Sequence, residues 1–66
     1  MISKAKRNVR VLMEIGNQFR FCNFIEGNEY ECTKNEVWGN MILIDEHKYI
    51  YGVCMDVFNE NFLLLK

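Results

Sequence analysis

His47 is the only histidine among 66 residues, and Asp45-Glu46-His47-Lys48 is the one stretch where oxygen and nitrogen ligands adjoin. A divalent ion needs such donors converging on a point, whereas adjacent residues of a tight turn point apart. The stretch therefore reads as an exposed polar turn. Cys22, Cys32 and Cys54 are spaced by ten and twenty-two residues, without the close pairs of a zinc site. All three read as free thiols that fill the interior as small apolar groups, and the acids flanking Cys32 oppose a reactive thiolate. Ser3, the only serine, lies among Lys4, Lys6 and Arg7, so serine-nucleophile chemistry lacks its components. The nine carboxylates are scattered over what should be solvated strand faces instead of paired in a cleft. A chain this short buries only about 60% of its unfolded surface and has no room for a deep pocket. The expectation is a protein without catalytic residues, metal or cofactor.

Positioning elements follow from turns and alternation. Gly16-Asn17, Gly27-Asn28 and Gly39-Asn40 punctuate the chain at places suited to strand reversal, and Gly52 follows thirteen residues after Gly39. Val9, Val11, Met13 and Ile15 alternate with Arg10, Leu12 and Glu14, which predicts a strand over residues 9–15 with one face to the core. Phe19 to Ile25 is aromatic at alternate positions and then irregular, as suits a long hairpin-like excursion over the mouth of the core. Further strands are expected at Glu29–Lys34, Met41–Ile44, Tyr49–Val53 and Phe62–Leu65, with Tyr30 and Cys32 on one inward face. Asp56–Glu60 suggests a single helical or 3₁₀ turn. The chain divides into a basic N-terminal arm, 1–8, and a small β-barrel domain, 9–66. No apolar run approaches about eighteen residues, so no membrane span is expected. The basic N-terminus lacks the apolar stretch of a secretion signal, which points to a cytoplasmic protein.

Five short strands, a long first excursion, a tight hairpin between the third and fourth strands and one turn before the last form a recognisable order. Phe24-Ile25-Glu26-Gly27-Asn28-Glu29-Tyr30-Glu31-Cys32 looks like the Gly-x-x-Tyr-x-apolar lead into the second strand of the Src-homology-3-like barrel. Ile42-Leu43-Ile44-Asp45-Glu46 followed by Tyr51 and Val53 looks like the hairpin of small barrels found in phage and prophage genomes. The resemblance implies an all-β, five-stranded antiparallel barrel and a phage accessory protein. It does not carry polyproline binding with it. The Ala-Leu-Tyr-Asp-Tyr stretch and paired tryptophans of signalling domains are missing, and the chain has no proline.

Charge and surplus aromatics point to surfaces. Residues 1 to 10 hold Lys4, Lys6, Arg7 and Arg10 with no acid, while residues 11 to 66 hold four basic and nine acidic side chains. Nine aromatics exceed what so small an interior needs, so some belong near loops, where Trp and Tyr anchor interfaces. Trp38, Glu29, Glu31, Glu36 and Phe21 form the expected partner-binding set, suited to a basic patch on another protein, which the module would inhibit or redirect. The alternative is nucleic-acid binding through Lys4, Lys6, Arg7 and Arg10. A third expectation is self-association as a homodimer through Phe62, Leu63, Leu64 and Leu65, since a strand alternates and part of this apolar stretch must face outward.

Overall fold

The computed structural model describes residues 1–66, except for the side chain of Ile15. Seven strands and one helix follow in order: β1 Ile2–Ala5, β2 Val9–Ile15, β3 Gln18–Phe24, β4 Glu29–Asn35, β5 Asn40–Ile44, β6 Ile50–Cys54, α1 Met55–Asn61 and β7 Phe62–Leu65. Five strands form a sheet in the order β6-β5-β4-β1-β7, and β2 and β3 form a separate two-stranded ribbon. Every pairing is antiparallel.

The protein is therefore mostly β and antiparallel with one short helix, but it is not a closed five-stranded barrel. No ladder joins β6 to β7, the two edges of the larger sheet. They are nonetheless close. Four inter-strand spacings would separate them by about 19 Å in a flat sheet, and the seven residues of α1 span only about 10 Å. The sheet must curl, and α1 bridges its open side.

Two strands differ from the expected set. Residues 1–8 are not a free arm: Ile2–Ala5 is β1, held between β4 and β7. Its inward residues are Ser3 and Ala5, both buried, and such small side chains leave no hydrophobic alternation to read. The second addition is β3. The excursion after Gly16-Asn17 is a regular ladder of seven pairs from Val9↔Phe24 to Ile15↔Gln18. Gly16 adopts φ 64 at the first central position of this two-residue turn, the place that a right-twisting hairpin gives to glycine. Val9, Val11 and Met13 are half-buried as alternation requires; the expectation for the Ile15 side chain lies outside the described residues. Asp56–Glu60 is the middle of a full α-helix, whose Phe58 is buried.

The core joins the ribbon to the sheet. Phe24, at the end of β3, meets Tyr30 edge-on at 4.9 Å and Phe62 edge-on at 5.3 Å, and Phe58 stacks on Phe62 at 5.6 Å. Cys22, Cys32, Met41, Leu43 and Val53 fill the space around them. Phe24 is thus a core residue. No helix is long and apolar enough to cross a membrane among the described residues.

Candidate functional site

Strand alternation puts Tyr30 and Cys32 inward and Glu29, Glu31 and Thr33 outward along β4. The two glutamates stand at the rim of an open groove of about 490 Å³, which Ile44, Asp45, Glu46 and Lys48 complete. Tyr30 forms part of its floor. Its hydroxyl accepts the Ile25 N–H at 2.8 Å and lies 3.5 Å from Glu46 Oε1, to which it donates.

Asp45 builds the turn that carries Glu46 and Lys48. It is 3% exposed, which corrects the expectation of a wholly exposed turn. Oδ1 accepts the N–H groups of His47 and Tyr49, each at 2.9 Å, and Oδ2 accepts the Asn23 N–H at 3.3 Å. A short carboxylate that satisfies nearby amides is the usual organiser of such turns. Asp45 is thereby a structural acid, and the carboxylates available to a partner are Glu29, Glu31 and Glu46. Lys48 takes φ 66, a left-handed backbone that non-glycine residues rarely adopt.

Apolar surface continues outward from the groove. Ile2 lies directly opposite Glu31, and Ile50 lies opposite Ile44. Ile2, Ile42 and Ile44 share a second, smaller hollow with Glu31. Ile2 and Ile50 are exposed, so the acidic rim borders an uncovered aliphatic face of the sheet.

The expected partner-binding residues fall in three places. Glu29 and Glu31 belong to the groove, whereas Glu36 and Trp38 occupy the turn after β4. Six residue steps along β4 separate Glu29 from Asn35, or about 20 Å. Trp38 is 79% exposed, on a turn in which Asn35 Oδ1 accepts the N–H groups of Val37 and Trp38. Phe21 sits on the ribbon, with the Arg10 guanidinium 3.7 Å from its ring centroid. Ile44, Glu46 and Lys48 were absent from the expected set. The polar turn was visible in the sequence, but its apposition to β4 was not.

The four basic residues proposed for nucleic acid are dispersed. Lys4 is the register partner of Glu29 and Leu63, Lys6 Nζ donates to the Asn59 carbonyl at 2.8 Å, Arg10 covers Phe21, and Arg7 is exposed. On β7, Phe62 is buried and Leu65 half-buried, while Leu63 and Leu64 are exposed at the sheet edge. Cys22, Cys32 and Cys54 are all free, but Cys54 is exposed instead of filling the interior. Burial first, and the Asp45 charge second, push the Cys22 thiol above its ordinary range. Among the described residues no three His, Cys, Asp or Glu side chains converge in a metal-binding group. No family model, curated protein or solved structure matches the chain.

Proposed function

We propose that this is a non-enzymatic protein-binding module that grips a basic patch of its partner in the groove walled by Glu29, Glu31 and Glu46. The observation that carries the reading is the composition of that groove. Three exposed carboxylates, Glu29, Glu31 and Glu46, share the groove with one ammonium group, Lys48, beside Ile44, and exposed Ile2 and Ile50 continue the apolar surface. An apolar centre with a charged rim is the anatomy of protein interfaces, and complementary charge speeds encounter and fixes register.

The Src-homology-3-like kinship is part of the proposal. It is supported by the five-stranded sheet, the hairpin inserted after its first strand and the helix before its last. The phage accessory role, in which the module inhibits or redirects a host protein, comes with that resemblance. Trp38 offers a second anchor beyond the groove.

The test is affinity capture from the producing cell with the wild-type protein and with the Glu29→Lys/Glu31→Lys variant. Circular dichroism verifies that both are folded. The expected result is a partner retained by the wild type, released by moderate salt and lost with the charge reversal. Equal capture by both proteins excludes the groove.

A further inference from the structure

The outer edge of β2 is unpaired, and its sequence is complementary to itself. Among the described residues only β3 hydrogen-bonds to the β2 backbone. Ile15 and Gln18 pair across the two-residue turn, and in an antiparallel ladder bonded and non-bonded pairs alternate from there. Bonded pairs then fall at Met13↔Arg20 and Val11↔Cys22, leaving the N–H and C=O of Arg10, Leu12 and Glu14 directed out of the ribbon. Asn23, opposite Arg10, supports this assignment, because its N–H leaves the ladder for Asp45 Oδ2. Arg10, Leu12 and Glu14 also carry the exposed side chains of the strand.

We propose that two copies of the chain pair antiparallel along β2, about a twofold axis at Leu12. In that register Leu12 meets the partner's Leu12, Arg10 meets the partner's Glu14, and Glu14 meets the partner's Arg10. Opposite charges facing across strands stabilise a pair and like charges oppose it. An axis at Arg10 would set two arginines face to face and an axis at Glu14 two glutamates, while an axis at Val11 or Met13 would set Arg10 or Glu14 against Leu12; only the axis at Leu12 gives both charges an opposite partner. The residues brought together are the ones whose backbone groups lack partners. Phe21 is the register neighbour of Leu12 within the ribbon, and both are exposed, at 41% and 55%. Pairing therefore lays one apolar row of Phe21, Leu12, the partner's Leu12 and the partner's Phe21 across four strands, flanked by charge pairs. A twofold interface of this kind uses the same patch on both copies. The strand carries neither proline nor a bulge to block it. The inference concerns the ribbon alone and stands independently of the acidic groove.

Light scattering after size exclusion, over a range of concentrations, reads the association of the 7.9 kDa chain. The expected mass rises toward twice that value. Arg10→Glu and Glu14→Arg should each weaken the dimer at least about tenfold, and the Arg10→Glu/Glu14→Arg double variant should restore it, with circular dichroism reporting the fold. Amide exchange of the wild type gives a readout that needs no variant: the N–H groups of Arg10, Leu12 and Glu14 should exchange more slowly as concentration rises. A monomer at every concentration overturns the proposal, as does exchange at these amides that ignores concentration. A dimer indifferent to both single reversals also overturns it and assigns association to another edge, such as β7.

Discussion

The Asp45 carboxylate accepts the backbone N–H of Asn23 at 3.3 Å and so ties the β2–β3 ribbon to the turn between β5 and β6. The same side chain holds the His47 and Tyr49 amides. Asp45→Ala removes the acceptor from three N–H groups and should destabilise the fold by about 3 kcal/mol in urea titration. Asp45→Asn keeps an oxygen for the turn but can present an amino group to Asn23. It should preserve the turn while accelerating amide exchange at Asn23, and unchanged exchange there would refute the tether.

Lys48 holds a left-handed backbone with φ 66. Glycine adopts that conformation without the Cβ clash, although it costs more entropy on folding. Lys48→Gly should therefore raise stability by up to about 1 kcal/mol, which corresponds to a melting-temperature gain of about 4–8 °C in a domain of this size. A lower melting temperature would show that the lysine side chain contributes more than the strain removes.

Burial raises both the Cys22 thiol and the Tyr51 phenol above their ordinary values of 9.0 and 10.0. Asp45 adds to the first; Cys54 and then Cys22 add to the second. Both groups are acids that the fold keeps neutral, so the unfolded chain releases their protons first as pH rises. The Cys22 contribution is fully present below about pH 9 and the Tyr51 contribution below about pH 10, and each is lost as pH rises beyond that point. Urea midpoints measured from neutral pH upward should fall from the first of these points, and Cys22→Ala should flatten the first part of the decline. Among the thiols, Cys54 should react first with an alkylating reagent, since Cys22 and Cys32 are buried.

Trp38 is the only tryptophan and is 79% exposed. Trp38→Ala should change stability by less than about 0.5 kcal/mol. Its fluorescence in the native protein should be quenched by iodide nearly as readily as in urea, and strong native protection would contradict the exposed turn. Partner binding that involves this turn should protect the same fluorophore.

Much of the local structure was legible. Val9, Val11 and Met13 alternate, Tyr30 and Cys32 share an inward face, and the Gly-Asn pairs mark reversals, with Gly16, Gly27 and Gly39 all at positive φ. The site was legible only in parts. Glu29 and Glu31 were identified as outward acids, yet Glu46 and Ile44 join them only because β5 pairs with β4 in one particular register. Glu36 and Trp38 share the β4 neighbourhood in sequence, but a strand is extended, so the groove and the exposed turn are separated by its length.

By itself the sequence determined an antiparallel β protein with an acidic surface, because alternation, turn chemistry and charge act between near neighbours. Tertiary structure decided the rest. It placed Ile2 opposite Leu65 and Ser3 opposite Tyr30, making the basic N-terminus an inner strand of the sheet. It also buried Asp45 against a distant strand. Those outcomes depend on which edges and amides remain unsatisfied after the local elements form, and small inward residues such as Ser3 and Ala5 announce nothing until that packing is complete.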